Sequence, residues 1–133
     1  MRDSLQLIAA ADAVVVPVVP DVPALKPVVQ LFEYLNETGQ VADKVTLVLN
    51  QIHSRRLVAD DQIEGLLGMK LGARLPFDEA SHLKATNEGS PVVALAPRAP
   101  IAIAYGRLLA TATGLAAAGS ASEADRKRGF RLR

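Results

Sequence analysis

Residues 44–56 read KVTLVLNQIHSRR. The apolar run Val45 to Leu49 stops abruptly at two side-chain amides, Asn50 and Gln51. A run apolar on both faces of the pleat predicts a strand covered by helices on both sides, as in a parallel sheet. In open α/β sheets, ligands bind outside the carboxyl ends of the strands. The amide pair therefore falls where a binding edge is expected. The same pattern recurs upstream in AVVVPVV (residues 13–19), where Pro17 predicts that the ladder loosens toward the end of the strand.

Around these strands the periodicity alternates. Leu5, Ile8 and Ala9 share a face of a first helix within residues 3–11, closed by Asp12. Asp21 is placed to cap a second helix with Pro23 in its first turn. That helix carries Leu25, Val28, Val29, Phe32 and Leu35 at helical spacing and ends near Gly39. A short helix with Ile63, Leu66 and Leu67 on one face follows, with Asp60 or Asp61 as its cap. GARLP (72–76) reads as a third strand, 79–88 as a helix ended by Gly89, and PVVAL (91–95) as an extended piece or turn. A last helix opens at Pro100, with Ile101, Ala104, Tyr105, Leu108 and Leu109 recurring. Residues 116–124 read as a linker and DRKRGFRLR as a basic tail. Strands alternating with helices make βαβ units, a parallel sheet and right-handed crossovers.

With 133 residues there is room for one compact domain. Half of them are hydrophobic but only 4% are aromatic, so the core rests on Val, Leu, Ile and Ala. Fifteen basic residues against fourteen acidic give a net charge of +1, which implies no specific nucleic-acid partner. The absence of cysteine excludes disulfides and thiolate metal sites. A cytoplasmic chain is the simplest expectation. The N-terminal stretch carries Asp3 and Asp12 and is a poor signal peptide.

Three strand ends should line up along one edge: Pro20-Asp21, Asn50-Gln51 and Pro76-Phe77-Asp78. An Asn there can donate and accept in one plane, which suits the N6 and N7 edge of a purine. Equally, an Asn after a strand serves as a turn residue. Pro76 and Phe77 offer flat apolar contact to a base. Asp78 can accept from a ribose hydroxyl or cap the next helix. His53, Ser54, Arg55 and Arg56 read either as a solvated loop or as a phosphate clamp, and His82 as a surface or capping residue. No carboxylate pair and no Ser/His/Asp set has catalytic spacing.

The ordered series ADAVVVPVVPDVPALKPVVQLFEYL, KVTLVLNQ, GARLPFDEASHLKATNEGSPVVAL and PRAPIAIAYGRLLATATGL resembles the C-terminal half of the MinD/ParA-like ATPases. It looks closest to the branch containing the CpaE and TadZ pilus-assembly localisation proteins and the septum-site proteins. The likeness spans residues 3–115. It implies a partial parallel sheet flanked by helices, the C-terminal half of a deviant-Walker P-loop fold, in residues 1–115, with 116–133 as a flexible basic tail. It also implies ATP as cofactor, bound through its adenine side. Asn50 matches the adenine-reading Asn, and Gln51 stands where Arg is usual. Pro76, Phe77 and Asp78 match the wall of the adenine and ribose, and Gly89-Ser90-Pro91 matches a structural turn.

The phosphate-binding part of that family has no counterpart in these residues. Gly65 to Lys70 has the wrong spacing for a P-loop, continues into Leu71 and falls in a helix. Mg2+ belongs to the full-length family only. The resemblance therefore implies a chain that begins after the phosphate machinery, does not hydrolyse ATP alone and binds it no tighter than millimolar. The strand at 13–19 would have an open edge, covered by a homodimer or a partner chain. Arg126, Lys127, Arg128, Arg131 and Arg133 surround Phe130 and Leu132, similar in position to the membrane helix of MinD proteins. Near anionic lipid each basic residue contributes about 1 kcal/mol. Weak peripheral contact with the inner membrane is thus one expectation and a solvated tail the other. Two further readings stand beside the ATPase one. One is a non-enzymatic localisation or interaction module. The other is an unrelated flavodoxin-like or receiver-like domain, against which LNQ and LPFD argue.

Overall fold

The computed structural model describes residues 2–39 and 43–115, with side chains from residue 6 onward. The expectations for the tail, including its membrane contact, lie outside the described residues. The elements run α1 (Arg2–Ala10), β1 (Val14–Val18), α2 (Val22–Glu37), β2 (Val45–Asn50) and α3 (Asp60–Leu67). Then come β3 (Leu71–Leu75), α4 (Glu79–Glu88), α5 (Val92–Leu95) and α6 (Pro100–Thr113). The three strands form one parallel sheet in the order β1-β2-β3. The architecture is the α/β sheet flanked by helices that the alternating periodicity predicts.

The central strand β2 is buried on both faces, as its composition requires. Leu47 and Leu49 point into a core shared with Val18, Leu25 and Phe32, and with Ile63 and Leu67 of α3. Val48 points the other way, against Ala73 and Leu75 of β3, Ala85 and Val92, and Ile101 and Ala104 of α6. Burying each large aliphatic side chain stabilises the fold by about 1.5–3 kcal/mol. Two helical layers thus bury the apolar faces of one short sheet.

The third strand begins one residue earlier than expected, and it is bulged. Leu71 pairs with Leu47 but Ala73 pairs with Val48, so Gly72 is an extra residue opposite the β2 ladder. The bulge shifts the phase of the pleat. Leu71 packs in the α2–α3 core, whereas Ala73 and Leu75 pack under α4–α6. A Cβ on residue 72 would stand 2.7 Å from Thr46 Cγ2, so only glycine fits without movement.

The expected loosening at Pro17 does not occur: β1 stays in register with β2 through Pro17↔Val48 to Val18↔Leu49. The Val14 N–H donates to the Lys44 carbonyl at 2.8 Å, so alternate residues Val16 and Val18 also face β2. The missing N–H of Pro17 falls on the outer side, where β1 has no neighbour among the described residues, and the ladder loses nothing.

Two local readings are sharpened. Of the two alternatives for PVVAL, an extended piece or a turn, the second holds: residues 92–95 are one helical turn, entered from Pro91 at φ −61°. Neither Asp60 nor Asp61 is the cap of α3. That position is Ala59, whose N–H donates to Gln62 Oε1 at 3.1 Å. The two aspartates occupy the first helical turn instead, where negative charge suits the helix dipole. Asp21 does precede α2 as predicted, with Pro in the first turn, but its side chain makes no capping bond.

Candidate functional site

The parallel ladder continues past the end of β2. Gln51 N–H donates to the Leu75 carbonyl at 3.1 Å, and Asn50 is paired with Leu75. This fixes Asn50-Gln51 beside Pro76-Phe77-Asp78 at the carboxyl edge of the sheet. All five of these residues line one cavity of about 360 Å3, together with Ile52, Glu79, His82 and Tyr105. That volume lies within the range of roughly 300–1,000 Å3 typical of small-molecule sites. Asn50 and Gln51 are half-buried, and among the described residues no protein group bonds either side-chain amide. Phe77 leaves 39% of its surface open, so a flat ligand can reach its ring.

Asp78 is held by its own helix. Its Oδ1 accepts the Ser81 N–H at 3.0 Å, the N-cap bond at the start of α4. The Ser81 hydroxyl and backbone N–H hold its carboxyl below the usual carboxylate range. The capping role read from the sequence is therefore present. His82 is exposed, as expected, and its Nδ1–H donates to the Asp78 carbonyl at 2.7 Å. Tyr105 Oη lies 3.4 Å from Nε2, and the two rings meet edge-on at 70°.

His82 and Tyr105 also line a second cavity of about 560 Å3, bounded by Ala85, Gly89, Pro91 and Val92. Sequence reasoning did not place either residue at the site. Tyr105 falls at helical spacing among apolar residues and so reads as core. The one signal was scarcity: the chain has two tyrosines and two histidines, and one of each is here.

The basic cluster after β2 does not join them. His53, Arg55 and Arg56 are exposed and none lines the cavity. Arg56 instead pairs with Asp60 at 2.8 Å, which supports the solvated-loop reading. Pro20 and Asp21, at the end of β1, also lie outside the cavity wall. Among the described residues no group of three or more His, Asp or Glu side chains could hold a metal ion. No described helix is long and apolar enough to cross a membrane.

No protein-family model matches the sequence, and no curated protein matches it at a significant level. Solved structures do match the fold. A ParA family ATPase from Chlorobium tepidum superposes with a TM-score of 0.68 at 20% identity, covering 80% of this chain and 43% of that one. The cell division ATPase MinD of Pyrococcus furiosus gives 0.67 at 22% identity, covering 87% and 48%. A chain of the Aquifex aeolicus MinC:MinD cell division protein complex gives 0.66 at 17% identity, covering 100% and 49%. The fold is thus a partial MinD/ParA-like ATPase fold, and the chain spans less than half the length of these neighbours.

Proposed function

We propose that this chain is the base-recognition part of a MinD/ParA-like ATPase that positions a pilus machine, a septum or a plasmid, with CpaE and TadZ as its nearest branch. One observation carries the reading. Two strand ends bring Asn50 and Gln51, with unpartnered amides, into one cavity with Pro76, Phe77 and Asp78. An amide there reads the N6 and N7 edge of adenine. The face of Phe77 takes the ring, a contact worth about 1–3 kcal/mol where bases stack on aromatics. The Asp78 carboxylate accepts from the ribose. Residues 1–115 form the ATPase part and 116–133 a basic tail that adds weak inner-membrane contact to an otherwise cytoplasmic protein.

The phosphates of ATP have no cradle in these residues, and Mg2+ would come with the part that supplies one. Backbone N–H groups of a Gly-rich loop give a triphosphate most of its attraction. Binding by this chain alone is therefore weak, and it turns nothing over. Titration of AMP followed by amide NMR should move resonances at Asn50, Gln51 and Phe77 with a millimolar or weaker Kd, and Asn50→Ala should abolish the response. No movement there at saturating AMP would overturn the base site. ATP hydrolysis by the pure chain that vanishes in Asn50→Ala would overturn the absence of catalysis.

A second reading, a non-enzymatic module that pairs with another chain, is favoured by the difference between the two sheet edges. On β3, Glu64 Oε1 accepts the Leu71 N–H at 2.9 Å, and Lys70, Arg74 and Asp60 surround it with charge. Such charge blunts an edge. On β1 the stretch VVVPV carries none, and Val15 is 42% exposed. A homodimer partner or a second chain covers that edge in this reading.

A further inference from the structure

The corner between α1 and β1 closes around one side chain. Lys44 stands just ahead of β2, at the amino end of the parallel sheet and so at the end opposite Asn50. Its backbone carbonyl accepts the Val14 N–H at 2.8 Å, beside the start of β1. Its ammonium donates to the Ala9 carbonyl at 2.8 Å and to the Ala11 carbonyl at 2.9 Å. Ala9 lies in the last turn of α1 and Ala11 just past it. The last carbonyls of a helix have no partner within it, and a cation there also meets the negative end of the helix dipole. Lys44 meets both needs from more than 30 positions along the chain.

The described part of α1 has little other hold on the molecule. No side chain from Gln6 to Ala10 belongs to either core. Of these five residues only Ile8 is half-buried, and Leu7 is 73% exposed. A nine-residue helix is marginal in water by itself, so its order depends on what anchors it. Its covalent link to β1 is the three residues Ala11, Asp12 and Ala13. Segments with few buried apolar contacts are the ones that open locally while the rest of a fold persists.

We propose that Lys44 is a latch. Its ammonium holds the end of α1 at the amino end of the sheet, and loss of that charge lets α1 leave as a unit while the three-stranded sheet stays folded. The latch stands apart from the nucleotide reading, because Lys44 and the base cavity lie at opposite ends of β2.

Lys44→Met keeps the aliphatic stem and removes the donors, whereas Lys44→Arg keeps a charged donor. Amide hydrogen exchange followed by NMR on the full chain reads α1 and β2 separately. The Ala11 N–H, which donates to the Leu7 carbonyl at 3.0 Å, is the probe at the end of the helix. In Lys44→Met the amides of residues 6–11 should exchange about tenfold or more faster, the worth of a hydrogen bond to a charged group. Those of Leu47, Val48 and Leu49 should keep their rates, and Lys44→Arg should lie nearer to wild type than Lys44→Met. Unchanged exchange at residues 6–11 in Lys44→Met overturns the latch. So does an equal acceleration in β2, which would make Lys44 a contributor to global stability alone, and so does a wild-type α1 without protection.

Discussion

At the scale of single residues, Asp78 joins the fold to the site. Its carboxylate caps α4 through the Ser81 N–H, its backbone carbonyl orients His82, and the residue itself lines the cavity. Because bonds from Ser81 lower its pKa in the folded state, the ionised form stabilises the fold above the ordinary value of 3.8. That stabilisation is lost as pH falls through the lower, folded value. Urea midpoints of wild type and Asp78→Ala should therefore differ at neutral pH and converge below pH 3.8, whereas a gap that stays constant with pH would contradict an ionised cap. The strand-end residues Asn50, Pro76, Phe77 and Asp78 were legible in the sequence because a polar stop after an apolar run marks a strand's end. Tyr105 was not, because its partners in the cavity lie 23 or more positions earlier in the chain.

At the scale of elements, β3 is the piece whose geometry the periodicity misses. Its odd-numbered residues alternate as if one face were buried, with Leu71, Ala73 and Leu75 all inside. The bulge at Gly72 sends them into two different cores. Gly72→Ala would set a methyl 2.7 Å from Thr46 Cγ2 and 3.4 Å from Thr111 Cγ2. Overpacking of this kind costs about 1–3 kcal/mol, and chemical denaturation should show that loss without a change in m-value. An unchanged midpoint would mean that Thr46 rotates aside freely. The α3–β3 corner adds a charged clasp. Bonds from the Lys70 ammonium and the Leu71 N–H hold the Glu64 carboxyl below its ordinary value of 4.5. Residues 92–95 were open between an extended piece and a turn: VVAL has strand propensity, and packing of Val92 with Ile101 and Ala104 of α6 accompanies the helical turn.

At the scale of the whole molecule, the two sheet edges differ in charge. The apolar edge at β1 retains the outward Val15 N–H and the Val15 and Pro17 carbonyls for an added strand, lacking only the donor at Pro17. If that edge recruits a second copy, sedimentation velocity should show concentration-dependent association that Val15→Lys abolishes with little loss of stability. A monomer at all concentrations with cooperative unfolding would count against an unmet edge. The sequence by itself determined the order of strands and helices, the parallel sheet and the two strand ends that carry Asn50 and Pro76-Phe77-Asp78. Those features are written in local periodicity and turn chemistry, which act over a few residues. Only the tertiary structure decided that the strand ends share one cavity, that His82 and Tyr105 line it, and that charge flanks the β3 edge while β1 has no neighbour on its outer side among the described residues. These depend on the register between strands and on α6 folding back over β3, contacts between distant residues that no local pattern encodes.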